Sequence, residues 1–328
     1  MTGGVRRSLT LVLVLVTGIA IGSFVSETFA AFSATTENSG NSFASASDWT
    51  PPSVSATAIG KTAGGITGYI KSGGTYYVYA QVADGGNPAS GISSVTANTS
   101  SFDATVTAAS LTAGSYTANG VSYNYRSGSL TANLGLAHGT TYTYSITSTD
   151  NGTRSQTQSG YTMTADTLVP AGSDIQANNT SGGTAGRAEQ GDTVVYTFTE
   201  QIEPISILSG WDGASTNVVL RFIQNANNDL VQIWNAANTA QLPLGEIETK
   251  GNYVTSTVTF GASGTPSTMV QSGSVITITL GTVSNAAEIR TNGDDTQLWT
   301  PSSTATDLAG NACSILGIDE LGILDPDF

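Results

Sequence analysis

Few side chains in this chain could perform acid–base, nucleophilic or zinc chemistry. Its 328 residues include a single histidine, His138, and a single cysteine, Cys313. A Ser–His–Asp or Cys–His site would have to use His138, which lies in a predicted turn. One histidine with one cysteine cannot complete a zinc site. The sequence therefore predicts that the protein is not an enzyme.

Carboxylates are the remaining groups with chemical potential, although they are sparse. A pair of them could hydrolyse a glycoside, but the separation that this reaction needs is set by the fold. Most acidic residues instead lie at the ends of predicted strands, among them Asp84, Asp103, Asp150 and Asp192. This placement favours structural roles over a catalytic pair.

Calcium binding is the one metal function that these carboxylates could serve. Calcium takes about six to eight oxygen ligands. Oxygen ligands from four residues would come together if the first and last strands of a second domain pair. These residues are Asp192, Glu200, Asp307 and Asn311. The alternative is that Asn311 belongs to a turn and Asp307 ends a strand. No other cofactor is expected.

The charge balance limits the class of partner. The chain has 10 basic and 24 acidic residues; its first 30 residues hold two arginines and one glutamate, so the remainder carries 8 basic against 23 acidic residues, a net charge of −15. Nucleic-acid binding needs a basic surface, so it is excluded. Apolar residues make up 39% of the chain, enough to bury a core and to argue against disorder.

The N-terminus has the pattern of a secretory signal. Two arginines precede an uncharged run over residues 9–25, and the small residues Thr28 and Ala30 follow it. This pattern predicts a signal peptide over residues 1–30, cleaved between Ala30 and Ala31. A retained N-terminal anchor is the alternative. After cleavage no membrane association is expected, and the protein would be extracellular or associated with the cell surface.

The segment that follows the predicted cleavage point carries a family resemblance. Residues 31–49 read A-F-S-A-T-T-E-N-S-G-N-S-F-A-S-A-S-D-W. They resemble the mature N-terminus of camelysin and TasA-like bacterial matrix proteins, although Ala34 and Ser45 depart from the family pattern. The resemblance implies processing by a SipW-type signal peptidase. It also implies that this segment, with Phe32 and Phe43, is donated as a strand to a neighbouring subunit.

Beyond an extended segment or linker over residues 31–52, a first all-β domain is predicted over residues 53–166. Short β-branched and aromatic runs alternate with turn residues, which is typical of a β-sandwich. Asn119-Gly120 predicts a tight hairpin. The predicted strands are 66–70, 75–84, 92–98, 103–109, 115–127, 130–136, 141–149 and 155–165.

One corner of this domain resembles fibronectin type III domains. The segment 136–152 reads L-A-H-G-T-T-Y-T-Y-S-I-T-S-T-D-N-G, in which His138 replaces the usual proline. The resemblance implies that the hydroxyl of Tyr142 bonds back to the preceding loop.

A second sandwich is predicted over residues 192–313, after a linker or leading loop at 167–191. Its first strand would place Val194, Tyr196 and Phe198 on one face, and residues 218–234 predict a hairpin. The opening G-D-T-V-V-Y-T-F-T-E and the closing D-L-A-G-N resemble the ends of Ig-like repeats in bacterial adhesins. The apolar tail 314–328 predicts a terminal strand or short helix packed on this domain.

Together these patterns predict two tandem Ig-like or fibronectin III-like β-sandwiches behind a cleaved signal peptide. The function that fits is a secreted, non-catalytic structural or adhesive protein of the bacterial surface or extracellular matrix. Its partners would be copies of itself or other surface and matrix proteins. The alternative is a carbohydrate-binding module for surface glycans, with Trp211, Trp234 and Trp299 as exposed stacking platforms. The competing interpretation of these tryptophans, which their residue type favours, is that they belong to the cores.

Overall fold

The structure is a computed structural model, and it describes residues 48–322 and 325–328. Strands dominate its architecture. Strands account for 45% of the described residues and helices for 3%, which confirms the all-β prediction. The signal peptide, the cleavage point between Ala30 and Ala31, and the donor residues Phe32 and Phe43 lie outside the described residues. None of the described helices has the length and apolar character needed to cross a lipid bilayer.

The first sandwich contains nine strands. They are β1 Ser53–Lys61, β2 Tyr69–Ile70, β3 Thr75–Ala83, β4 Ile92–Asn98, β5 Ala109–Ala118, β6 Val121–Ser127, β7 Leu130–Thr131, β8 Thr141–Asp150 and β9 Ser155–Ala165. Their hydrogen-bonded order is β1-β3-β6-β5-β4-β8-β9-β2, with β7 on β3. Without the two short strands β2 and β7, this is the A-B-E-D and C-F-G arrangement of an Ig-type sandwich.

Two local predictions for this sandwich are confirmed. Asn119 and Gly120 connect β5 to β6 with φ angles of 46° and 74°. Positive φ at both residues matches the twist of the two strands in a tight hairpin. The backbone N–H of Ala137 donates to the hydroxyl of Tyr142 at 3.2 Å, as the corner resemblance implies. The prediction of a strand at 103–109 is wrong, because most of this segment forms turns that begin beside the buried ring of Phe102.

The second sandwich begins earlier than expected. Its elements are β10 Gly172–Asn178, β11 Thr193–Phe198, α1 Pro204–Ile207, β12 Thr216–Ile223, β13 Leu230–Asn235, β14 Glu246–Glu248, β15 Val258–Phe260, β16 Ser267–Ser272, β17 Val275–Thr279, a 3₁₀ turn Ala286–Glu288, β18 Asp294–Asp295, β19 Leu298–Thr300, β20 Ile318–Asp319 and β21 Asp325–Pro326. The order is β10-β11-β17-β16-β12-β13-β14-β19-β20, with β15 on β12.

Strand β10 lies within residues 167–191, which we expected to form a linker or leading loop. It pairs along its length with β11, although its sequence G-S-D-I-Q-A-N carries little apolar character. Only Ile175 and Ala177 contribute to the core, so its alternation was too weak to indicate a strand. The tail supplies β20 and β21, which pair with β19 and β18.

The core of the second sandwich follows from the alternation that the sequence shows. Val194, Tyr196 and Phe198 are all buried on one face of β11. The indole of Trp299 packs edge-on against Tyr196 and Phe198, with ring centroids 5.2 and 4.9 Å apart. The predicted hairpin is formed by β12 and β13, and Asp229 stabilises its turn by accepting the N–H of Asn225 at 2.8 Å.

Candidate functional site

A buried ion pair joins the two sandwiches. Lys61 is the last residue of β1, and its Nζ lies 2.9 Å from Oε2 of Glu203, with the two side chains 8% and 2% exposed. Lys61 also donates to the carbonyl oxygens of Ile66 at 3.0 Å and of Leu308. The N–H of Ile66 donates to Glu203 Oε2 at 3.0 Å. Because a buried pair is stable only when its remaining donors and acceptors are satisfied, this network fixes one sandwich against the other.

The D-L-A-G-N segment supplies the other side of this junction. Asp307 Oδ1 accepts the backbone N–H groups of Ala309 and Asn311, both at 2.8 Å, which closes a local turn. The turn presents the carbonyl oxygen of Gly310 to Lys71 Nζ at 2.7 Å. Asn311 Nδ2 donates to the carbonyl oxygen of Asp166 at 3.1 Å, so the same turn contacts the segment between the sandwiches.

Three carboxylates meet at this junction. One oxygen from each of Asp166, Glu200 and Asp307 lies within 4.8 Å of the others, and we call this set the junction cluster. Asn311 adjoins it, since its Nδ2 donates to Asp307 Oδ2 at 2.7 Å. The structure therefore brings together three of the four predicted calcium candidates and adds Asp166, which sequence analysis missed.

Asp192 is not part of this group, which corrects the prediction for that residue. Asp192 precedes β11 and Glu200 follows it. At about 3.3 Å per residue, a strand of that length separates them by roughly 25 Å. Asp192 instead accepts the N–H groups of Thr180 at 2.8 Å and Glu189 at 2.6 Å, and so closes the loop between β10 and β11.

Protons and amide donors relieve the charge of the junction cluster. Burial, together with the neighbouring charges of Asp166 and Asp307, raises the pKa of Glu200 to about 7. Burial also raises the pKa of Asp307, against the lowering effect of its bonds from Asn311. Glu200 is thus close to half protonated at neutral pH and shares a hydrogen bond with Asp166.

A second cluster of carboxylates lies in the first sandwich, and we call it the leading cluster. It consists of Asp48, before β1; Asp84, after β3; and Asp150, at the end of β8. One oxygen from each lies within 4.8 Å of the others. The sequence indicated Asp84 and Asp150 only as strand-end residues, and it gave no indication that Asp48 joins them.

Backbone N–H groups position each carboxylate of the leading cluster. Asp48 accepts from Thr50 and Ser90, both at 2.9 Å. These two bonds, the one from Thr50 first, lower the pKa of Asp48. Asp84 Oδ2 accepts from Gly91 at 2.6 Å.

Asp150 completes the cluster from the turn between β8 and β9. Its Oδ1 accepts the N–H of Arg154 at 2.7 Å. The second oxygens, Asp84 Oδ1 and Asp150 Oδ2, are buried and have no hydrogen-bond partner.

No model of a known protein family matches the chain, and no curated protein matches it either. The function is therefore inferred from these residues.

The aromatic residues that motivated a glycan site are mostly part of the cores. Trp211 is 5% exposed and Trp299 is fully buried, so neither can stack on a sugar ring. Trp234 is half-buried, and the Arg221 guanidinium lies 3.4 Å from its ring centroid. Trp211 and Trp299 therefore agree with the interpretation that the tryptophans belong to the cores, where large aromatic side chains supply apolar area.

The single histidine and the single cysteine both lie in surroundings that indicate a structural role. His138 Nδ1 lies 3.0 Å from Asp166 Oδ1, in the segment that connects the sandwiches. Cys313 is buried in the second core, and burial with the nearby charge of Glu200 raises its pKa to about 11. The thiol therefore stays protonated at neutral pH, whereas the thiolate is the nucleophilic form.

Proposed function

We propose that this chain is a secreted, non-catalytic structural or adhesive protein of the bacterial cell surface or extracellular matrix, which assembles with copies of itself by strand addition. The observation that carries the proposal is the buried junction between its two sandwiches. Closure of one domain over a substrate needs hinge residues between the domains. Here the junction is instead occupied by a neutralised ion pair and its hydrogen bonds.

A fixed tandem of sandwiches suits a building unit. Between β9 and β10 only residues 166–171 connect the two sheets. Lys61 and Lys71 both reach across to carbonyl oxygens of the 307–311 turn. Because these contacts are buried or half-buried, tension along the chain is transmitted through packed side chains and not through a flexible linker.

The exposed edge of β5 in the first sandwich supports the acceptor side of this proposal. Strand β5 pairs with β6 along most of its length, whereas its other edge contacts β4 only at Ala109 and Ser110. Its residues from Thr112 to Thr117 are largely exposed. An unpaired edge offers backbone N–H and C=O groups to an incoming strand, although a bulge between Ala113 and Tyr116 limits the continuous stretch.

Deletion of residues 31–47 tests the donor side of this proposal. The deletion removes the predicted donor segment with Phe32 and Phe43 and keeps Asp48. We expect the full chain to form filaments or large oligomers, seen by electron microscopy and size-exclusion chromatography, and the shortened chain to be a folded monomer. Unchanged assembly after the deletion would overturn strand donation.

Charged substitutions test the acceptor side. Ala113→Lys with Thr117→Lys places two charges on the β5 edge, where lysine is expected to block strand pairing. Ser94→Lys with Thr143→Lys adds the same charge to exposed positions of β4 and β8, which are paired with each other. Assembly should be lost in the first variant only; equal assembly in both would exclude β5 as the acceptor.

A further inference from the structure

We propose that Asp48, Asp84 and Asp150 form a binding site for a divalent cation, with calcium as the ligand, and that the bound ion ties the segment before β1 to two loops of the first sandwich. The three carboxylates come from three separate parts of the chain. They lie within 4.8 Å of one another, where their negative charges repel.

The site contains oxygens that nothing in the described chain satisfies. Asp150 is 1% exposed, and its Oδ2 is buried without a hydrogen-bond partner. Asp84 Oδ1 is likewise buried and unpaired. Buried carboxylate oxygens in native proteins are nearly always hydrogen-bonded, paired with a cation or bound to a metal. Two such oxygens beside a third carboxylate therefore indicate a missing positive charge.

Arg154 is the basic residue closest to these requirements, and it does not meet them. Its guanidinium carbon lies 5.1 Å from the ring centroid of Trp49, and its charge acts on Asp48. Within the described chain, however, no ion pair joins Arg154 to a carboxylate. Its Nε is itself buried without a partner. The arginine therefore leaves the two unpaired oxygens unsatisfied.

The carboxylates are positioned before any ion binds. Each one accepts at least one backbone N–H bond, from Thr50 and Ser90 to Asp48, from Gly91 to Asp84 and from Arg154 to Asp150. The loops are fastened to each other as well, since Asn151 Nδ2 donates to the carbonyl oxygen of Ser90 at 2.9 Å. A ligand set held in this way loses little conformational freedom when a cation enters.

Calcium is the cation that this donor set favours. The carboxylate ligands are all oxygen, which suits calcium or magnesium better than zinc, whose structural sites are built from cysteine and histidine. Calcium tolerates irregular arrangements of about six to eight oxygens, whereas magnesium demands a near-ideal octahedron. Three carboxylates can supply up to six oxygens, and water or loop carbonyls can supply the remainder.

The first test is calcium titration of the full chain after removal of metals with a chelator. Binding is measured by isothermal calorimetry and by the shift of the thermal unfolding midpoint. We expect Asp150→Asn and Asp84→Asn to weaken calcium binding about tenfold or more, because each removes one of three charged ligands. Asp166→Asn, in the junction cluster, is the matched control and should bind calcium as the unmodified protein does.

Both variants retain the oxygen that accepts the existing backbone bond, so the fold is expected to persist. Absence of any calcium response in the unmodified protein would overturn the proposal. So would a response that Asp150→Asn and Asp84→Asn leave unchanged. A response lost only in Asp166→Asn would place the ion at the junction cluster and overturn the proposal as well.

Trp49 provides a second measurement that does not depend on stability. It adjoins Asp48 in sequence, so its indole is placed to transfer excitation energy to a terbium ion bound in this site. We expect sensitised terbium emission that calcium quenches by displacement. Trp49→Phe should lose most of that emission and keep the calcium-induced thermal shift. Emission that persists in Trp49→Phe would show that terbium binds elsewhere and would contradict the assignment.

Discussion

The junction cluster and the leading cluster each bring three carboxylates within 4.8 Å of one another, but their surroundings differ. At the junction, Asn311 donates to Asp307, and Glu200 is close to half protonated at neutral pH. In the leading cluster, backbone hydrogen bonds lower the pKa of Asp48, and one carboxylate oxygen of Asp84 and one of Asp150 have no hydrogen-bond partner. The difference teaches that spacing alone does not identify a metal site: the donors around the carboxylates decide whether a proton or a cation relieves their repulsion.

The largest effect is expected from removing the lysine that neutralises Glu203 beside the junction. Lys61→Met leaves Glu203 buried without its cation, and breaking a buried pair in this way costs about 3–5 kcal/mol. Chemical denaturation at neutral pH measures the loss. The double variant Lys61→Met with Glu203→Leu should recover most of it. A loss below about 1 kcal/mol would show that the junction charges are compensated by solvent.

Glu200→Gln should remove a pH dependence that the junction cluster creates. The pKa of Glu200 is about 7 in the folded chain against 4.5 ordinarily. Between these values the folded state keeps a proton that the unfolded state has lost, so the free energy of unfolding falls as pH rises. Above pH 7, about 1–2 kcal/mol should be regained in Glu200→Gln, after allowance for solvent screening.

Thermal unfolding from about pH 4.5 to about pH 8 checks this prediction. Glu246→Gln, in β14 and outside both clusters, is the control and should keep the slope of the unmodified protein. A slope that survives in Glu200→Gln would assign the proton to another carboxyl group of the cluster.

The effect of Asp150→Asn on the free energy of unfolding should change sign when calcium is added. In chelator the amide can donate to the neighbouring carboxylates, which should raise the free energy of unfolding by about 1 kcal/mol. With calcium present, the unmodified protein should become the more stable of the two. Paired unfolding curves with and without calcium measure both effects. A variant that is less stable in both conditions would mean that the leading cluster needs no cation.

The smallest effect is expected from Asp48 in acid. Because the pKa of Asp48 is lowered from its ordinary value of 3.8, its bonds stabilise the fold above that value. This contribution is lost as the pH falls through the lowered pKa. In chelator, Asp48→Asn should show a flatter decline of stability below about pH 4. Asp212→Asn, exposed in the other sandwich, should decline as the unmodified protein does.

Local features of the fold could be predicted from the sequence because they depend on neighbouring residues. The hairpin at Asn119-Gly120, the buried alternation of β11 and the corner hydroxyl of Tyr142 all have local patterns, and the structure contains each of them. Strand β10 had no such pattern. Its place beside β11 is set by the rest of the sheet, which overrides a weak local preference.

The clusters could be predicted only in part, because each combines residues that are distant in sequence. Glu200 and Asp307 lie in segments that resemble the ends of one domain, so their meeting could be anticipated. Asp48 lies in a polar segment before β1, and Asp166 lies in another between β9 and β10. Neither segment has an apolar periodicity, and no sequence spacing relates these two residues to their partners in the clusters. The tryptophans could be placed in the cores only by preference, because residue type favours burial of an aromatic ring but does not fix it.

The buried pair at the junction also sets an order of events during synthesis. Lys61 and Glu203 are 142 residues apart, and Leu308 is 247 residues beyond Lys61. At roughly 5–20 residues per second, the chain emerges for on the order of ten seconds or more before Lys61 can meet all of its partners. Until then Lys61 has no partner from the second sandwich, and a first sandwich that folds earlier keeps this lysine hydrated. The contact that joins the two sandwiches therefore cannot be complete before residue 308 has been made.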